Sequence, residues 1–499
     1  IKPALGETYN IFASPEVEGD VATRFDLVSL PGLDDGQVFR LQYGTDSERS
    51  DRYNIIVSLV VEAFDSLVGF SDPDTYDDVI DGVATGVETA DLNGDGADEI
   101  LVCVAGPAGS PGELYVFIND GLGGFATQEI YSVGSGPADV VVGYFEDGSG
   151  TVDSVADVVA VSCTLDDEVR LFRNDGAALL TEDAAPLSVG VGPLGMAVQD
   201  LDGDGNDELL VCASEDRAIE IYDITESSRG SRAASQKITT PGKPKDIDPE
   251  DVDEQKGAAS LGATTTDPSE LLVMAVANDG VVGSPVSYPS GSEPGTIKSK
   301  DVDKDGKGDY VVSNEESGTA TLLKQSSTRG FEPPVMLPLG AAAGSLTVVD
   351  VDGDGDQDIV AVVDDGLGAE VRVLRNDMNL YGDEQLVFAA AATLETDVVP
   401  ALLDAGDIDV DGYADLITIG SPRIQRRGAT MTALEAHPNR RCLGDVDGDG
   451  AVDVLDLLEI ISSWGPCLGC ASDINADGQV DILDLLEVLS AWGGCDAER

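Results

Sequence analysis

Five short stretches of the chain carry one arrangement of oxygen-bearing side chains. They are Asp91-Leu-Asn93-Gly-Asp95-Gly96 with Glu99, Asp200-Leu-Asp202-Gly-Asp204-Gly205 with Glu208, and Asp301-Val-Asp303-Lys-Asp305-Gly306 with Asp309. Asp350-Val-Asp352-Gly-Asp354-Gly355 with Asp358, and Asp407-Ile-Asp409-Val-Asp411-Gly412 with Asp415, complete the set. Carboxylates or amides at positions one, three, five and nine are hard ligands, and Ca²⁺ takes roughly 6–8 oxygens at 2.3–2.6 Å. They converge only if the chain turns sharply, which a glycine at position six permits. A lone Asp-Gly cluster is only a turn signal. Five copies in register, each before an apolar run, point to metal loops. Weaker copies near Tyr144 and Asp251 lack the ligands and read as metal-free turns.

Two longer acidic loops stand near the end of the chain, the second starting at Asp473, 473 − 445 = 28 residues after the first. One offers Asp445, Asp447, Asp449, the Ala451 carbonyl, Asp453 and Asp456. The other offers Asp473, Asn475, Asp477, the Gln479 carbonyl, Asp481 and Asp484. Ligands at positions one, three, five, seven, nine and twelve, with glycine at six, follow the logic of an EF-hand loop in which Asp replaces the usual Glu at twelve. Each loop runs into an apolar-faced helix, Leu455 to Trp464 and Leu483 to Trp492. Helices of about three turns do not fold alone, so two paired halves holding two Ca²⁺ are expected.

Other chemistry is poorly provided for. Lys and Arg total 28 against 95 Asp and Glu, a net charge of −67. That charge opposes nucleic-acid backbones and anionic membranes, and Phe, Tyr and Trp total only 11 + 12 + 2 = 25, too few for an aromatic nucleic-acid platform. The single histidine, His437, lies beside Pro438 and is expected in a linker; its solitude removes His-based triads and multi-His metal centres. No nucleophile-elbow, phosphate-loop or dinucleotide motif occurs, and no catalytic residue is assigned. No apolar run approaches the roughly 18–20 residues of a membrane span. The chain starts at Ile1, which is expected of a processed product or a fragment, a removed secretion signal being one explanation. Seven bound Ca²⁺ would leave −67 + 14 = −53, an excess suited to a saline extracellular setting.

The elements that must hold the first five loops repeat with them. Units start at 91, 144, 200, 251, 301, 350 and 407, at steps of 53, 56, 51, 50, 49 and 57. A period near 50 with short apolar runs and hairpin signals such as Asn119-Asp120-Gly121 and Asn174-Asp175-Gly176 reads as an all-β propeller of four-stranded blades. Residues 1–82 are expected to form a further unit, making eight blades; seven, with 1–82 as a separate element, is the alternative. The last unit lacks a fourth strand, and Thr8–Ala13 is expected to supply it outside Ala429–Ala436. The domains are then a propeller over 1–437, a linker at 438–441 and a helical calcium-loop domain over 442–499.

The repeated phrase resembles the FG-GAP or VCBS repeat of integrin-type and bacterial secreted propellers over about residues 83–437. The resemblance implies structural Ca²⁺, about five ions, and leaves the activity open among adhesion modules, lectins, polysaccharide lyases and scaffolds. The tandem tail resembles a type I dockerin. That implies two further Ca²⁺ and a plug that binds a cohesin or another scaffold or surface protein. With the two halves antiparallel, Cys442 is expected to pair with Cys495 and Cys467 with Cys470. Four cysteines allow three pairings, and a four-thiolate zinc site is the competing reading. Cys103 and Cys212, alike in their units, are expected to be buried, inert thiols. The expected function is a secreted, calcium-binding, non-catalytic binding or scaffold module with a glycan or protein ligand on the propeller. The alternative is a polysaccharide-active enzyme of lyase type or a glycan lectin.

Overall fold

The structure, a computed structural model, describes most of residues 74–144, 156–223, 233–250, 260–351, 355–376, 392–408 and 414–437. It also describes the strands Thr8–Ala13, Gln37–Thr45 and Ile55–Ala63 and short stretches between 451 and 494. Phe70–Arg441 forms one compact unit, and Ile1–Gly69 groups with Cys442–Arg499 in another.

Among the described residues of the larger unit, six four-stranded sheets and one five-stranded sheet, seven in all, follow one another. The four-stranded sheets are antiparallel meanders, as in Val83–Ala90, Glu99–Ala105, Pro111–Ile118 and Thr127–Ser135, and in the five-stranded sheet the short strands Leu180–Glu182 and Leu187–Ser188 both pair with Glu168–Asn174. The first strands of successive sheets are neighbours all the way round, and Val398–Gly406 of the last returns to Val83–Ala90 of the first. They therefore surround a common axis. The second strands are buried on both faces, which is why Ile100–Val104, Leu209–Ala213 and Ile359–Val363 read as unbroken apolar runs rather than alternating ones. The cores lie between sheets: Leu101, Leu114 and Val116 of the first pack with Val140, Val159 and Val161 of the second.

Closure differs from the expectation in the strand used. The last sheet is Val398–Gly406, Asp415–Pro422 and Met431–His437, and its fourth strand is Asp74–Asp81, paired from Met431 with Asp81 to Ala436 with Asp74. Thr8–Ala13 instead pairs with Ile55–Ala63, which pairs in turn with Gln37–Thr45, in a three-stranded sheet of the other unit. Eight blades are thus overturned. The reason is chain continuity. Asp74–Asp81 leads through Gly82, at φ 140°, straight into Val83–Ala90. Thr127–Ser135 likewise leads through Gly136, at φ 65°, into Pro137–Gly143. The closing strand makes the same step as every other fourth strand. His437 is also corrected: it ends a strand, opposite Leu416, and is not in a linker.

In the tail, Ala451–Val452 pairs with Gly493–Gly494 and Gly465–Pro466 with Gln479–Val480. Shifting the first pair of strands by the 28-residue repeat and exchanging the halves produces the second. Each loop thus pairs with the end of the opposite half. Ile460 and Val480 are buried, while Ile461 and Trp464 are exposed.

Candidate metal centres

The five acidic loops each join the first strand of a sheet to its second. The residue at position two ties the loop down three ways. Its side chain is buried in every case: Leu92, Leu201, Val302, Val351 and Ile408. Its N–H donates to the ninth-position acid: Leu92 to Glu99 Oε2 at 2.7 Å, Leu201 to Glu208 Oε2 at 2.8 Å, and Val302 to Asp309 Oδ2 at 3.3 Å. Val351 donates to Asp358 Oδ2 at 2.9 Å and Ile408 to Asp415 Oδ2 at 2.8 Å. In three loops its carbonyl accepts from an asparagine at the end of the next sheet's third strand. Asn174 Nδ2 reaches Leu92 at 2.6 Å, Asn376 Nδ2 reaches Val302 at 2.9 Å, and Asn119 Nδ2 reaches Ile408 at 2.7 Å. Asn119 and Asn174, read from sequence as hairpin residues, are thus clamps between blades. Their recurrence at one place in the repeat was the available signal.

The first-position aspartate organises the turn. Asp91 Oδ1 accepts from Gly94 N at 2.6 Å and its Oδ2 from Gly96 N at 3.0 Å; Asp200 does the same with Gly203 at 2.7 Å and Gly205 at 2.9 Å. Gly96, Gly205, Gly306 and Gly355 have φ of 90°, 89°, 79° and 82°, the left-handed region that position six requires. In the Asp200 loop, Asp200, Asp202 and Glu208 each bring one ligand atom within 4.8 Å of the others, and Asp301, Asp303 and Asp309 do so in theirs. Asn93 donates through Nδ2 to Glu99 Oε1 at 2.7 Å.

The donor sets suit a hard divalent cation. Asp303 Oδ1 and Asp350 Oδ1 are buried and have no hydrogen-bond partner among the described residues, orphan acceptors that a cation would satisfy. Burial pushes the carboxyl of Glu99 up to about 7, of Glu208 to about 8 and of Asp309 to about 7, with neighbouring loop acids adding to the rise. A positive ion would remove that penalty. Asp352, Asp354, Asp409 and Asp411 lie outside the described residues, as do the tail acids from Asp445 to Asp484 and Cys442, Cys467, Cys470 and Cys495. Ala451 and Gln479 lie on the paired strands. Cys103, Cys163 and Cys212 are free and buried, and burial holds their thiols well above the usual range, Cys163 at about 12.

A second polar constellation, not anticipated from sequence, lines the axis. Asp139 Oδ2 accepts from Met196 N of the next sheet at 2.8 Å, Asp246 Oδ2 from Ile297 N at 2.9 Å, and Asp248 Oδ2 from Ser299 N at 2.6 Å. Ser345 Oγ accepts from Leu403 N at 3.1 Å, and Thr89 Oγ1 donates to Asp404 Oδ2 at 3.2 Å. These side chains cap the inner strand edges, whose N–H groups have no further strand to pair with. Glu88, Lys298, Lys300, Thr347, Asp350 and Asp404 line a cavity of about 470 Å³ there. Lys298 is held charged by Asp404, Asp248 and Glu88 against the opposing effect of burial.

This edge capping makes a pH prediction. Burial raises Asp139 and Asp248 from 3.8 to about 7 in the fold. Raised acids stabilise fully below their unfolded pKa, and that contribution is lost as pH rises through the folded value. The ring of the chelator-treated chain should therefore melt higher at pH 5 than at pH 8. On the order of 1–3 kcal/mol is expected after allowing for water in the channel. Asp139→Asn should flatten the slope. A melting temperature that is level or rises over this range would remove the account.

The FG-GAP-like repeat family matches residues 301–361. The dockerin type I domain family matches residues 443–491. No curated protein matches the chain. Similar solved structures include BBS1N in complex with ARL6DN, soaked with lead (13% identity, TM-score 0.48, 75% of this chain and 98% of that one). Others are streptogramin B lyase (12%, 0.45, 74% and 99%) and the hydrazine synthase of Kuenenia stuttgartiensis (14%, 0.45, 69% and 94%).

Proposed function

We propose, from the type I dockerin domain at residues 443–491 and the FG-GAP-like repeat at residues 301–361, that this chain is an extracellular propeller module plugged by its tail into a cohesin-bearing scaffold or surface protein. The observation that carries the reading is the reciprocal pairing within the dockerin region, Ala451–Val452 with Gly493–Gly494 and Gly465–Pro466 with Gln479–Val480. It makes the two halves near-equivalent, so the domain presents one binding surface twice. The propeller serves as a non-catalytic binding or scaffold body. Ca²⁺ supplies charge neutralisation in its five loops and in the two tail loops, about seven ions in all. Asp91, Asn93, Asp95 and Glu99, and their counterparts in the other loops, would hold the ions in the ring. The acidic surface fits a saline exterior, and no helix among the described residues is long and apolar enough to cross a membrane.

The test is capture on immobilised cohesins. The full chain should bind with Ca²⁺ and elute with chelator, and a variant lacking residues 442–499 should not bind. Equal retention of the truncated chain would place the anchor on the propeller. A second reading, a glycan lectin or a polysaccharide-active lyase, is favoured by the axial cavity of about 470 Å³. A lyase needs basic groups, and Lys298 and Lys300 line that cavity beside Glu88 and Asp404. Glycan binding or cleavage that disappears in Lys298→Met would favour it over the scaffold reading.

A further inference from the structure

Two lysines bind carboxylates of the loop of residues 301–309, and a third ties that loop to the next. Lys324 Nζ donates to Asp303 Oδ2 at 3.0 Å, and Lys307 Nζ bonds Asp305 Oδ2. Lys304 reaches out of the loop to Asp356 of the next sheet's loop, at 2.5 Å. Asp356 is fully buried. Lys304 occupies position four, where Gly94 and Gly203 have φ of 78° and 76°; it keeps the left-handed conformation at φ 55°. A side chain there is strained, and the ion pair to a buried carboxylate offsets the strain. The two comparison loops contain nothing of the kind: among the described residues no ion pair reaches Asp91, Asp95, Glu99, Asp200, Asp202, Asp204 or Glu208.

The distances set up a competition. One oxygen of Asp303 is taken by the Lys324 ammonium, while its other, Oδ1, is the buried orphan that faces no donor. A divalent ion bound between Asp301, Asp303 and Asp309 would share that carboxylate with a positive charge a few ångströms away. Such repulsion in a partly desolvated site is far larger than in water. Either the ammonium swings away, losing its hydrogen bond, or the ion binds against it.

We propose that the loop of residues 301–309 carries its own counter-ions and is a weak, lysine-gated Ca²⁺ site, whereas the loops of residues 91–99 and 200–208 rely on Ca²⁺ alone. This rests on the calcium reading given above and deepens it. As Ca²⁺ falls, the lysine-bearing site empties first, yet its loop stays ordered because the ammonium groups remain. The Asp91 and Asp200 loops hold their ions longer and loosen when they lose them. The ring therefore has one sector that tolerates calcium depletion and another that does not.

Calcium titration of the full chain by calorimetry, with hydrogen exchange in chelator, tests this. Lys324→Met should tighten one site of the weaker class about tenfold without changing the number of sites. Asp303→Asn should remove one weak site and Asp202→Asn one tight site. In chelator, the amides of residues 301–309 should stay protected in the unaltered chain and lose protection in Lys324→Met, while those of residues 200–208 exchange in both. The unaltered chain by itself gives the hydrogen-exchange contrast, so misfolding of a variant does not remove the test. Equal affinity for the sites removed by Asp303→Asn and Asp202→Asn, with Lys324→Met unchanged, would overturn the lysine gate and leave the calcium reading standing. Unchanged site numbers in both Asp202→Asn and Asp303→Asn would overturn the calcium reading itself.

Discussion

Addition of a chelator to the full chain is expected to unfold residues 442–499 outright, while the ring survives with its melting temperature lowered by roughly 20 °C. The two parts differ in what remains without metal. Among the described residues the tail has Ile460 and Val480 as its fully buried apolar side chains and two-residue strands as its sheet structure. Its sequence carries Asp445, Asp447, Asp449, Asp453 and Asp456 within twelve residues, and likewise Asp473, Asp477, Asp481 and Asp484. Without a cation these carboxylates repel one another, and short helices cannot offset that. The ring keeps its strand ladders and the cores between sheets. It loses only what ion binding adds, about 3–4 kcal/mol per site at calcium 100–1,000 times the dissociation constant. Differential scanning calorimetry should show two transitions with Ca²⁺ and one without. If chelation moves neither transition, the metal-loop account fails.

Removing residues 1–69 should leave the ring's own transition within a few degrees of its original temperature, but removing residues 1–81 should abolish its cooperativity or lower it by at least roughly 10 °C. The twelve residues between the two cuts contain Asp74–Asp81, the outer strand of the last sheet. Ile80 on that strand is 1% exposed and packs with Ile100, Ile408, Ile417 and Ile419, so it joins the first sheet's core to the last. Without it, Met431–His437 becomes an open edge and the shared core loses a large side chain, a change of about 2–5 kcal/mol before the lost hydrogen bonds are counted. A shorter chain that melts at the same temperature as the longer one would show that the ring closes by other means.

The acidic loops were legible because their information is local. Nine residues contain every candidate ligand, the glycine at position six and the apolar residue at position two, and the structure brings Asp200, Asp202 and Glu208, and Asp301, Asp303 and Asp309, close enough to hold an ion. The 50-residue period was likewise enough for a ring of antiparallel sheets, since each meander is built from neighbours in sequence. The three central cysteines, each in an apolar run, are buried. The tail's exchange of halves followed from its internal repeat and is seen in its strand pairing.

Long-range choices were not legible. Thr8–Ala13 and Asp74–Asp81 are both strand-sized segments ahead of the first sheet, and composition does not say which one finds Met431–His437. Continuity through Gly82 into the first inner strand decides it, because only that path gives the last sheet the same strand-to-strand step as the others. The axial acids have the same character. In the sequence Asp139, Asp246, Asp248 and Asp404 are four carboxylates among 95 acidic residues. Only the ring brings the inner edges together, so that Asp139 meets Met196 and Asp248 meets Ser299. The position of Lys324 on Asp303 is likewise a product of strand pairing, since the lysine lies two strands beyond the loop it neutralises. Residue type and spacing determined the turns, the ligand sets and the kind of fold, because those interactions span a few residues. The tertiary structure decided which strand closes the ring and which charges meet, because those depend on edges that exist only once the sheets stand side by side.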